Sequence, residues 1–257
     1  MKLIENYKEI VSKIDKIFES YVTLNEVYLE TFSNLKTELT NTSASEDKKI
    51  DRRIEIFKSQ MESVEIKQKE ISGQLFGQGL VLLTGSAESI LREFFKNLVI
   101  LNPDHINEER AKGIKLSFDE IRKKADISDP QWLGKLLYDE LVAGKNPESK
   151  LNLQNMQQMK NIFSDYLGLE IKSDSLIQSL HHYWMIRHIL IHNSGVIDQR
   201  FLVNLQAAEI TTEGYKLGEE VSVTKKDYEA CKGLYLELFK NIENMVEDSH
   251  LILDEVS

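Results

Sequence analysis

Apolar residues at Leu3, Tyr7, Ile10, Ile14, Ile17, Tyr21, Leu24 and Tyr28 recur by alternating steps of four and three. This is the stripe of a long helix packed along a partner, and it is incompatible with a strand, whose faces repeat every second residue. Phe32, Leu35 and Leu39 continue the stripe after a small slip. The polar run from Thr40 to Ser45 interrupts it, and a second stripe follows through Ile50, Ile54, Phe57, Met61, Val64, Ile71 and Leu75, with Gln68 as its polar exception. Two stripes joined by a short polar loop predict an antiparallel helical hairpin, each arm tens of ångströms long at about 1.5 Å per residue. The same stripes can also pair between subunits.

Only three prolines and twelve glycines occur in 257 residues, and 41% of the residues are apolar. Few breakers with enough core-forming side chains predict an all-α chain: a helical bundle that carries the long N-terminal hairpin. The shift from charged to apolar composition near Gly73, Gly77 and Gly79 divides the expected organisation into an extension, 1–72, and a helical domain, 73–257.

Within that domain, residues 79–101 read as a buried helix closed by Asn102 and Pro103, with Gly85, Ser86 and Ala87 small enough for another helix to approach. Its carboxylate, Glu88, is read either as the partner of a nearby arginine or as an acid that supports an active site. A basic group at Arg110, Lys112, Lys115, Arg122, Lys123 and Lys124 reads as a solvated helix face, with Ser117 and Glu120 as a capping box. Asp129 and Pro130 open a further helix that Gly144 closes, and a loop surrounds Pro147. Another helix is expected over Leu153 to Leu167, ended by Gly168, and the next starts at Ser175 with Gln178 reaching back. Residues 209–224 alternate like two short strands around Gly214 or Gly218, which admits a small β-hairpin. Thr224 and Asp227 then cap a last amphipathic helix through Met245.

A formal charge of −10 argues against indiscriminate, charge-driven nucleic-acid binding, while leaving room for one local phosphate site. The single cysteine, Cys231, excludes an intramolecular disulfide framework and reads as a small buried hydrophobe. The charged start MKLIENYKEI is unlike a signal peptide, and no apolar run reaches the roughly 20 residues of a membrane span. The expected localisation is cytoplasmic, with no membrane partner.

Chemistry is expected between Ser175 and Asp198, which hold four of the six histidines (His181, His182, His188, His192) and Trp184. At about 100° per residue, His181, His188 and His192 share nearly one face. One reading is zinc, but the glutamate of the paired-histidine metalloprotease pattern is missing and no cysteine or acidic cluster adjoins. The other pairs Arg187 with His192 at the helix end signalled by Asn193, Ser194 and Gly195. Arginine keeps its charge and can hold a phosphate oxygen, and histidine exchanges protons near neutral pH. Together they suit RNA cleavage without a metal, through attack by the 2′-hydroxyl. The bland reading has Arg187 paired with a buried carboxylate and the histidines at helix carbonyls.

The run Arg187, His188, Ile189, Leu190, Ile191, His192 resembles the R-x4-H motif of HEPN domains, including their polar residue directly after the arginine. Its continuation HNSGVID is similar to the RiboL-PSP and MAE-like branches of that superfamily. The likeness spans about residues 74–250 in architecture and Trp184 to Asp198 at motif level, and the first 72 residues match nothing in it. It implies a helical bundle that dimerises with two motifs facing one cleft, acting as a metal-independent endoribonuclease with an RNA substrate and no cofactor. Arg187 and His192 would be the catalytic pair, His188 the polar motif residue and Glu88 the polar residue of the earlier helix. Many members act in toxin–antitoxin, abortive-infection or phage-defence systems, which implies an antitoxin or defence protein as partner. Others are inactive binding or scaffolding modules.

Overall fold

Helix α1, Leu3–Asn41, runs antiparallel to α2, Lys48–Leu101, as the two apolar stripes predict. The computed structural model describes residues 2–41, 48–107 and 155–251, together with Trp132, Gly134, Lys135 and Tyr138. The basic group at 110–124, the Ser117 box, the Asp129–Pro130 start, Gly144 and the Pro147 loop lie outside the described residues. Following a 3₁₀ turn at Pro103–His105 come α3, Met156–Leu167, α4, Asp174–His192, α5, Gln199–Ala207, and α6, Lys225–Asp248. The chain is all-α, with no strand among the described residues. None of these helices is long and apolar enough to cross a membrane.

α2 does not stop where the glycines cluster. It continues for 54 residues across the expected 72/73 boundary, about 80 Å at the usual rise. Interior glycine costs a helix about 1 kcal/mol relative to alanine. At Gly79 the missing side chain admits a neighbour, since a Cβ there would lie 2.4 Å from the Phe18 ring, whereas one on Gly77 would make an ordinary contact with Leu190 at 3.6 Å. The close approach expected at Gly85 is not found, since its Cβ position faces open space, although Ala87 is fully buried. A second close approach is at Gly134, where a Cβ would meet the Ile100 backbone at 2.4 Å.

The buried face of α1 is Leu3, Tyr7, Val11, Ile14 and Phe18. The steps of four leave Ile10 at the edge of this face, partly buried against the core, and turn Ile17 into solvent, contrary to the seam read from spacing alone. This face packs on α2 and on α6, where Tyr7 meets Phe239 edge-on at 4.9 Å and Phe18 meets Tyr228 edge-on at 5.1 Å. Polar clasps fix the register: Glu243 accepts from the Ile4 amide at 3.1 Å, and Asp15 accepts from the Tyr228 hydroxyl at 2.8 Å and from Lys232 at 3.2 Å. Cys231 is fully buried within this layer, and burial pushes its thiol up, away from the reactive thiolate.

Local chemistry sets the helix ends. Asn155 caps α3 through the amides of Gln157 and Gln158, and Gly168, at φ 66°, ends it as expected. α4 is capped by Ser173, whose hydroxyl accepts from Leu176 N, instead of Ser175. Gln178, expected to reach back, instead donates to the carbonyls of Ala208 and Glu209 and ties α4 to the end of α5. Thr224 and Asp227 form the expected reciprocal box at the start of α6.

The β-hairpin over 209–224 does not form. Its backbone pairs with the loop after α4: Ile197 N donates to Glu219 O, Gly218 N to Ile197 O and Val221 N to Gly195 O, with one antiparallel bridge between Val196 and Glu220. Those bonds use donors and acceptors that a hairpin would need internally. They also brace the end of α4.

Candidate functional site

α4 packs against α2, α3, α5 and α6, so its residues are sorted by direction around the helix. Leu180, Met185, Ile186 and Ile189 are buried among these neighbours. Arg187 points to α2, where its Nη1 lies 3.7 Å from Glu88 Oε2. Glu88 also accepts from Arg92 Nη2 at 3.1 Å, one turn further along α2. One carboxylate, 13% exposed, thus serves two guanidinium groups and leaves the cluster with an excess of positive charge. Arg187 Nε is buried without a hydrogen-bond partner, so its Nη1 contact with Glu88 leaves Nε unsatisfied.

The histidine face forms a column of rings. His181 stacks on Trp184 at 5.4 Å and 13° between planes, Trp184 on His188 at 5.8 Å and 27°, and His188 meets His192 at 4.6 Å and 49°. The shared face of His181, His188 and His192 read from spacing is thus present, with Trp184 set between the first two. His182 faces away and pairs through Nε2 with the Tyr215 hydroxyl at 2.8 Å. Burial, then the neighbouring His192, Arg200 and Arg187 in that order, lowers the pKa of His188, against the opposing pull of Asp198. His192 is exposed in the last turn, where Asn193 N and Gly195 N both bond Ile189 O and close the helix.

The structure therefore brings together Arg187 with Glu88, and His188 with His192. It does not put all four in one pocket of a single chain. Five residues along a helix turn through about 500°, which leaves Arg187 and His192 about 140° apart. His188 and His192 line a groove of about 220 Å³ with Trp184, Asp198, Arg200 and Asn204, and Arg187 faces α2 instead.

Several site residues were not singled out from the sequence. Arg92 is the nearer partner of Glu88, and its i, i+4 spacing was a legible signal. Asp198 caps α5 through Phe201 N at 2.7 Å, which brings its charge to His188. Arg200 and Asn204 reach the groove only because α5 folds back on α4, and no spacing in the sequence shows that. Among the described residues, no group of three or more His, Cys, Asp or Glu side chains is placed to hold a metal ion. Searched against protein-family models, curated proteins and solved structures, the chain matches none.

Proposed function

We propose that the chain is a metal-independent endoribonuclease of the HEPN type. The observation that carries this reading is the end of α4, which presents an exposed imidazole, His192, beside His188, with a guanidinium, Arg187, held by Glu88 just over one turn earlier. His192 takes the proton from a ribose 2′-hydroxyl as its oxygen bonds to the adjacent phosphorus. The bond from phosphorus to the 5′-oxygen breaks, and the imidazolium formed on His192 gives its proton to the leaving oxygen. Arg187 balances the charge on the equatorial phosphate oxygens. The two-copy cleft implied by the motif resemblance would bring a second Arg187 and His192 to the same phosphate. A place in a toxin–antitoxin, abortive-infection or phage-defence system, with an antitoxin or defence protein as partner, rests on the motif resemblance alone.

A second reading, a module that binds RNA or protein without cutting, is favoured by the burial of Arg187 and its existing pair with Glu88. The two separate on incubation of the purified chain with tRNA and messenger RNA in excess chelator. Cleavage is expected. Intact but bound RNA favours the module, and cleavage only after metal is restored favours a metal enzyme.

A further inference from the structure

We propose that the groove between α4 and α5 is a subsite for single-stranded RNA: a base lies against the ring column at Trp184 and His181, and Arg200 on the facing helix holds a phosphate. This rests on the ribonuclease reading and extends it to the class of RNA taken. Below His188 the groove adjoins a wider cavity of about 760 Å³, lined by His181, Trp184, Met185, Arg200 and Asn204, and also by the carboxylates of Asp174, which pairs with Lys160, and Glu209. Trp184, Met185, Arg200 and Asn204 line both this wide part and the part that holds His188 and His192. One channel thus leads from the ring column to the reactive end of α4.

The chemistry of the two walls differs. The column from His181 to His192 covers about 16 Å of helix and presents four aromatic rings. The inner rings stack on one another, with Trp184 between His181 and His188, so the column meets a base along its ring edges, whose positive rim attracts the π-face of any base. Opposite them, Arg200 supplies a fixed charge and Asn204 an amide, the groups that meet phosphate oxygens and base edges. A duplex keeps its bases stacked on each other and offers mainly backbone and 2′-hydroxyls, whereas a single strand can bring a base against the ring edges.

The test is fluorescence anisotropy of a labelled, 2′-O-methylated RNA oligonucleotide, which binds without being cut. Trp184→Ala, and separately Asn204→Trp to fill the groove from the exposed side of α5, are each expected to weaken binding about tenfold or more. Far-ultraviolet circular dichroism should match wild type. Asn204→Trp keeps the test decisive should Trp184→Ala fail to fold. An unchanged Kd in folded Asn204→Trp protein overturns the subsite, and so does equal competition by duplex RNA. Displacement by AMP at the oligonucleotide's own concentration overturns the RNA assignment in favour of a free nucleotide. Wild type that binds this RNA through the groove but leaves unmethylated RNA intact keeps the subsite and removes the nuclease. Cleavage with groove variants that bind normally does the reverse.

Discussion

Arg187 Nη1 and Glu88 Oε2 lie 3.7 Å apart and join α4 to α2 across the core. Glu88 has a second guanidinium, from Arg92, whereas Arg187 has Glu88 as its only ion-pair partner among the described residues. Loss of the acid therefore costs more than loss of this base. Glu88→Gln is expected to lower unfolding free energy by about 1–3 kcal/mol, since two partly buried cations lose their counter-charge. Arg187→Ala, which leaves Glu88 paired, should cost less. Urea denaturation of both variants checks the order, and a larger loss for Arg187→Ala would contradict this account of the cluster.

Arg187→Ala and His192→Ala should each reduce RNA cleavage about 10²- to 10⁴-fold, the usual effect of removing a positioned charge or acid–base group. Circular dichroism should show both folded, and wild-type products should end in 2′,3′-cyclic phosphate and 5′-hydroxyl. Normal cleavage by both folded variants would end the nuclease reading.

Three imidazoles have lowered pKa values in the fold: burial lowers those of His181, His182 and His188. Near the unfolded value of about 6.5, the unfolded chain then binds more protons than the folded one, so stability rises with pH through that range. The urea midpoint should fall between about pH 7.5 and 5.5, and His181→Gln should reduce the fall. A midpoint that rises on acidification would refute the assignment.

Gly79→Ala should destabilise by about 1–3 kcal/mol, because the new methyl would lie 2.4 Å from the buried Phe18 ring. Gly85→Ala, in open space on the same helix, should be neutral or slightly stabilising. Thermal melts of the two variants make the comparison, and equal shifts would remove Gly79 as the contact point of α1 and α2.

Ile17 and Leu24 on α1 and Ile71 on α2, members of the apolar stripes, are exposed on the hairpin, as are Val27 and Ile66. The chain should form a homodimer, and Leu24→Glu, at a position 72% exposed, should weaken it without unfolding the core. Light scattering at micromolar concentration would read a dimer mass for wild type, and a monomer mass there would count against the shared cleft.

What the sequence determined by itself were properties that depend on near neighbours in the chain. Helical periodicity specified α1 and α2, and short local signals specified the ends of two others: the Thr224–Asp227 box opens α6 and Gly168 closes α3. His181, His188 and His192 fell on one face because helix geometry alone puts them there. The tertiary structure decided everything that needed a second surface. The composition shifts near Gly73, Gly77 and Gly79, yet the helix runs on through them, and Gly79 becomes the notch that receives Phe18. Residues 209–224 carried a strand pattern, but the loop after α4 offered the better hydrogen-bond partners. Arg200 and Asn204 joined the histidines, and Arg187 turned to Glu88, only once α5 and α2 had packed on α4. Spacing along one helix fixes direction, and what lies in that direction depends on segments distant in the chain.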